Sequence, residues 1–262
     1  MRDMKGPTGM EGGRGFKMIN QSSIHPADLM VCTMARLIED GETVFQGVAS
    51  QLPLVAMKLA KATHAKNATL LNIPGGVNPA GTVLSEYSSA GWELWDRSEA
   101  VFPLEKVFDL SMRGKLDAAF LSGVQFDRHG NVNASVIGDY HRPKVRLPGG
   151  AGSAVLIPTV KKAIIWRTKH DRRTFVEKVD FVTTRGNIYK IVTPICMFGY
   201  RNGMLYLEAV SPYSSIDEVI ANTGFEIKTH QGKPEVMSLP TREEMRTLRQ
   251  IDPKGIRYKE FG

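Results

Sequence analysis

The sequence predicts a single α/β domain built on an open, mainly parallel sheet flanked by helices. Two observations carry this. The chain has 262 residues, of which 42% are hydrophobic, which suits one domain of the largest ordinary size with a full core. Segments of helical period also alternate with short apolar runs, the order expected of βαβ units in a parallel sheet. Residues 1–20, rich in glycine and charge, are expected to form a mobile tail before the domain at 21–262.

Each element has a local reason. Pro26 suits a helix first turn, and Asp28 favours the positive end of the helix dipole. Ala27, Met30, Val31, Met34 and Ile38 recur at helical spacing until Gly41 stops the helix. Residues 43–48 read as a strand. Leu52, Val55, Ala56 and Leu59 mark a second amphipathic helix. Residues 68–73 make the next strand, and Pro74-Gly75-Gly76 turns out of it. Residues 77–101, with Trp92 and Trp95, predict a long excursion over the sheet edge. Pro103 opens a helix carrying Val107, Phe108 and Leu110, which ends at Gly114. A strand at 118–121 and a turn at 127–131 follow, then a polar segment and a glycine-rich loop at 148–153. Later strands are expected at 163–167 and 190–198, with short helices at 217–222 and 241–250.

Ligands of open α/β sheets bind beyond the carboxyl ends of the strands. Loops 46–50, 73–76, 122–133 and 149–153 follow such ends, so they should share one edge. The candidate ligand contacts are therefore Gln46, Gly47, Ser50, Ile73, Gly75, Gly76, Gln125, Asn131, Gly149, Gly150 and Gly152. Glycine lets a ligand approach peptide N–H groups closely. The 149–152 stretch fails the dinucleotide fingerprint, because no glycine stands three residues after Gly152. Ser153 is not in a Gly-x-Ser-x-Gly elbow. Glu86 and Glu93 read as surface carboxylates, either of which becomes a water-activating base if the long loop folds over the site. His25, His64, His129 and His141 start as structural groups, His141 gaining a little from its polar neighbours Asp139 and Tyr140.

Composition excludes several classes. The net charge is +7, and its densest basic run is Arg167–Arg173. That run lacks interleaved aromatics, so a solvated or intersubunit face is expected and nucleic acid is not. Cys32 and Cys196 are far apart, which argues for core thiols and a reducing cytoplasm. No metal-ligand spacing is present. There is no apolar signal region and no run near the ~18 residues of a membrane span.

Two words of this sequence go further. They are Val124-Gln125-Phe126-Asp127-Arg128-His129-Gly130-Asn131-Val132-Asn133 and Ile137-Gly138-Asp139-Tyr140-His141-Arg142-Pro143-Lys144, which runs on to Pro148-Gly149-Gly150. With matching stretches from residue 25 to the C-terminus, the chain resembles the beta subunit of family I CoA-transferases, in the glutaconate CoA-transferase branch. The resemblance implies that family's fold, an acyl-CoA thioester substrate, no cofactor beyond the coenzyme A of the substrate, and an alpha subunit, in an α2β2 assembly. It raises Asn133 to a catalytic oxyanion or substrate contact and gives the basic run a milder role in attracting the CoA nucleotide. In the transferases a strand ends in Glu-x-Gly, and that glutamate is the covalent nucleophile. Here Gly75 matches the glycine and Ile73 stands in the glutamate's place. A subgroup of steroid ring-cleaving, CoA-dependent hydrolases also lacks the glutamate and also has a longer loop after its first strand, as residues 44–56 suggest here. Hydrolysis of a C–C bond is the favoured expectation. Genuine CoA transfer and a non-catalytic regulatory role stay open beside it.

Overall fold

The computed structural model describes residues 24–80, 90–229 and 232–261; the expected tail at 1–20 lies outside them. Helix α1, Pro26–Arg36, starts at the proline the sequence points to, with His25 Nδ1 accepting the Ala27 N–H at 3.1 Å. Then come β1 (Thr43–Gln46), α2 (Gln51–Ala62), β2 (Thr69–Leu71), β3 (Gly76–Val77) and β4 (Ala100–Val101). The middle of the chain holds α3 (Glu105–Met112), β5 (Ala118–Leu121), β6 (Gln125–Phe126), β7 (Val132–Asn133), β8 (Val136–Gly138) and β9 (Pro143–Arg146). The last part contains α4 (Ala151–Thr159), β10 (Lys162–Trp166), β11 (Ile188–Val192), β12 (Cys196–Arg201), β13 (Met204–Val210), α5 (Ile216–Ala221), β14 (Glu235–Val236) and α6 (Arg242–Ile251). A 3-10 turn, Ile256–Phe261, follows.

A ten-stranded sheet runs β14-β13-β12-β11-β10-β5-β1-β2-β3-β4. Its centre, β11-β10-β5-β1-β2, is parallel. Antiparallel pairs extend it on both sides. The sheet is thus mixed and mainly parallel, as the alternating pattern requires. The strand period of two splits the core. Val44, Ala118, Phe120 and Ile164 face α1, α2 and α6, whereas Phe45, Ala119, Leu121 and Ile165 face α3, α4 and α5.

Two expectations are corrected, and one element is added. The strand expected at 190–198 is two antiparallel strands, because Thr193 makes a tight turn: its Oγ1 accepts the Cys196 N–H at 3.1 Å and donates to the Cys196 carbonyl at 3.0 Å. Strand β13 adds an unexpected hairpin, although Asn202-Gly203, both at positive φ, is a hairpin signature. Helix α4 stands where the sequence reads as a glycine loop. Its first turn holds Gly152 and its last holds Pro158, which hide the helical period.

The two ends of the domain are joined by buried charge. Arg257 Nε donates to Asp28 Oδ1 at 2.6 Å, and Nη1 donates to Asp252 Oδ2 at 2.7 Å. All three residues are buried. Tyr258 adds a hydroxyl bond to Asp28 at 3.1 Å. Removing the guanidinium would strand two carboxylates in the core. Arg257→Ala should lower the stability of the chain by about 3–5 kcal/mol, read as a shift of the urea midpoint; a loss below about 1 kcal/mol would mean the network behaves like a surface pair.

Candidate active site

Parallel strands all end at one edge. Beyond β1, β2, β5 and β10 lies an open cavity of about 540 Å3. Gly47, Val48, Ala49 and Ser50 line it after β1, and Ile73 after β2. Ser122, Gly123 and Val124 follow β5, and Trp166 and Arg167 end β10. Helix α3 supplies Phe108, and Pro148 through Ser153 close the wall at the start of α4. Ser122 Oγ donates to the Trp166 carbonyl at 3.0 Å, tying two of these strand ends together.

The backbone here is strained. Among the described residues, positive φ occurs at the non-glycine positions Ala49, Asn78, Arg97, Ala151 and Asn202. Asparagine can reward that conformation with a local hydrogen bond, but alanine cannot. Both alanines line this cavity. Strain of this kind persists where surrounding structure over-determines a loop, and it clusters at functional sites.

Six of the expected contact residues meet at the cavity: Gly47, Ser50, Ile73, Gly149, Gly150 and Gly152. Gln46, Gly75, Gly76, Gln125, Asn131 and Asn133 are not in its wall. Gln46 is buried at the end of β1. Gly75 and Gly76 are glycines for packing: a Cβ would lie 2.2 Å from the Phe102 carbonyl oxygen at the first and 2.0 Å from that of Leu94 at the second. Asn131 holds a turn, its Nδ2 donating to Asp127 Oδ2 at 2.9 Å. Asn133 is fully buried. Its Nδ2 donates to Gln125 Oε1 at 2.7 Å and to the Val136 carbonyl at 2.6 Å, and its Oδ1 accepts the Ser135 N–H at 2.9 Å. Gln125 in turn donates to Asp180 at 3.2 Å. These amides brace the hairpins beside the cavity. Glu86 lies outside the described residues. Glu93, expected on the surface, is buried, and its charge acts on the half-buried Lys58, whose pKa burial lowers.

Sequence reasoning missed Trp166, Arg167 and Phe108. The rule that placed the other loops also points to Arg167, since a strand was expected to end there. His170 was also overlooked, but it is a core group. It bonds Thr193 and Thr223, stacks on Phe175 with centroids 4.1 Å apart, and burial brings its pKa down to about 4. Burial pushes the adjacent Cys196 thiol up to about 12, which makes it a poor nucleophile. Among the described residues no cluster of His, Cys, Asp and Glu could hold a metal ion, and no helix is long and apolar enough to cross a membrane.

Two helix N-termini face the cavity loops, and they differ. On α2, Ser50 turns its hydroxyl to the Val48 carbonyl at 3.0 Å. The Leu52 N–H donates instead to Glu260 Oε1 at 3.0 Å. That end is filled by a carboxyl of the C-terminal turn. On α4 the cap is Gly150, which has no side chain to offer, so no side chain caps the first N–H groups.

Residues 29–222 match the family described as Coenzyme A transferase. One of the subunits of the 3-oxoadipate CoA-transferase of Pseudomonas knackmussii is 30% identical over 87% of this chain and 93% of its own length. The IpdB subunit of the cholesterol ring-cleaving hydrolase of Rhodococcus jostii is 28% identical over 84% of this chain and 89% of its own. Among solved structures, the decarboxylase AibA/AibB superposes with a TM-score of 0.85 at 30% identity, over 90% of this chain and 98% of that one.

Burial raises the Glu260 carboxyl from 4.5 to about 7, against the Leu52 and Gln51 N–H groups and Arg167, which lower it. The protonated acid therefore contributes stability that is complete below about pH 4.5 and is lost as pH rises through 7. Glu260→Gln has no such proton to lose. The melting temperature of the wild type should fall relative to that variant between pH 5 and pH 8; a pH-independent difference would show that Glu260 is not perturbed.

Proposed function

Because this chain belongs to the coenzyme A transferase family as a beta-type subunit, we propose that it works with an alpha subunit of the same enzyme, as an α2β2 assembly, and that its strand-end cavity receives the acyl thioester of coenzyme A. The coenzyme enters as part of the substrate, and the residues of this chain need no further cofactor. The partner subunit closes the open side of the cavity.

The reaction we favour is cleavage of a C–C bond in the acyl group by water. One observation carries it. Among the described residues of the cavity wall there is no carboxylate, cysteine or histidine. At the end of β2, where the family resemblance calls for a nucleophilic glutamate, the wall is the side chain of Ile73. An alkyl group has no lone pair with which to form an acyl-enzyme anhydride or an enzyme thioester, and loss of a covalent nucleophile costs many powers of ten in rate. In hydrolysis, water delivers hydroxide to a carbonyl carbon of the substrate, the C–C bond breaks, and the proton ends on the departing carbon. The base that takes the proton from water comes from the alpha subunit. This chain supplies the apolar wall, which excludes bulk water, and the uncapped N–H groups at the start of α4, which suit an oxyanion that develops on the substrate.

Simple CoA transfer is the competing reading, and the 30% identity to a transferase subunit favours it. Borohydride separates the two, because it reduces an enzyme thioester. The alpha–beta complex is incubated with acyl-CoA, with and without acceptor acids, and then reduced. Turnover should continue without an acceptor, consume water and survive borohydride. Inactivation that requires acyl-CoA, with the label on this chain, would establish transfer through a carboxylate of this subunit.

A further inference from the structure

The cavity wall carries one formal charge among the described residues, that of Arg167. Around it the wall is mostly glycine and carbon, with Phe45, Ile73, Phe108, Leu121, Leu156 and Trp166 beside the hydroxyls of Ser50, Ser122 and Ser153. Arg167 extends from the carboxyl end of β10, with its backbone N–H on the Val192 carbonyl at 3.1 Å. Its Nε is buried without a hydrogen-bond partner. Its side chain has no ion pair within the described residues. The carboxylates of Asp171 and Glu260 act on it only through space, and burial lowers its pKa. A half-buried guanidinium with five donors and no acceptor is costly unless a ligand completes it.

We propose that Arg167 determines substrate specificity by pairing with a free carboxylate on the acyl portion of the CoA thioester. This rests on the reading of the cavity as an acyl-CoA site. A carboxylate matches the fork of the guanidinium with two parallel hydrogen bonds and balances its single charge. The apolar wall suits the carbon chain between that carboxylate and the thioester. The phosphates of coenzyme A fit the place less well. They carry several charges against one cation, and a second, open groove of about 490 Å3, which Arg167 also lines, holds the exposed Lys169, Arg172 and Arg173 beside the single carboxylate of Asp171. Polyphosphate can be held there in contact with water.

The test compares glutaryl-CoA, which ends in a carboxylate, with valeryl-CoA, which ends in a methyl group on a chain of the same length. The protein is the alpha–beta complex, wild type, Arg167→Gln and Arg167→Lys. Calorimetric Kd and steady-state turnover are measured separately, with free coenzyme A as a third ligand. The wild type should bind glutaryl-CoA more tightly than valeryl-CoA. Arg167→Gln should weaken glutaryl-CoA roughly 10- to 100-fold and leave valeryl-CoA and coenzyme A within about threefold, while Arg167→Lys keeps part of the preference. Equal losses on both thioesters, or weaker binding of coenzyme A, would overturn the assignment and give Arg167 to the phosphates. If both thioesters bind without turnover, the proposed reaction needs revision, while the Kd comparison still decides the role of Arg167. If the wild type binds neither, the acyl-CoA reading and this proposal fall together.

Discussion

Parallel pairing of β2, β1, β5 and β10 is the constraint from which the rest of the molecule follows. Parallel neighbours point the same way, so every carboxyl end opens at one edge, and every return must cross a face of the sheet. The chain leaves β1 through α2 toward β2 and later comes back to place β5 on the other side of β1. Consecutive loops diverge at that reversal, and the crevice between them is where open α/β sheets bind ligands. The cavity is therefore a product of topology before it is a product of any side chain.

What fills or opens that crevice is decided at the helix ends. Both α2 and α4 start at the cavity edge. The C-terminal turn brings Glu260 onto the first and leaves the second without a side-chain cap. That turn is itself fixed by Arg257, held between Asp28 on α1 and Asp252 after α6. A buried ionic network thus sets, over more than two hundred residues of chain, which of the two helix N-termini a carboxyl group fills. The strained Ala49 lies on the loop that leads into α2, and the strained Ala151 is the first residue of α4, consistent with backbone shaped for the site rather than for local comfort.

The expected site residues divide by physical cause. Gly47, Ser50 and Ile73 reach the cavity because a strand end of the sheet predicts where a loop goes, whereas Gly149, Gly150 and Gly152 reach it at the start of α4. Asn133 and Gln125 sit in equally distinctive sequence, yet their polar atoms satisfy one another and the adjacent backbone. Distinctive polar residues in a hairpin can serve the turn itself, and only hydrogen-bond geometry separates that from contact with substrate. Gly75 and Gly76 make the same point for glycine, since neighbouring carbonyls leave no room for a Cβ.

The sequence by itself determined the α/β class, the order of the first helices and strands, the family, and the sheet edge at which the cavity opens. These depend on periodicity, chain punctuation and local words, which are properties of short segments. Tertiary structure alone decided that α4 is a helix, that residues 190–198 form a turn between antiparallel strands, that Glu93 is buried, and that, among the described residues, Arg167 stands as the one charge in a mostly apolar wall. Each of those depends on what another part of the chain brings alongside: a neighbouring strand, a packed helix, or, for Arg167, carboxylates that act only through space. No short window of sequence contains that information.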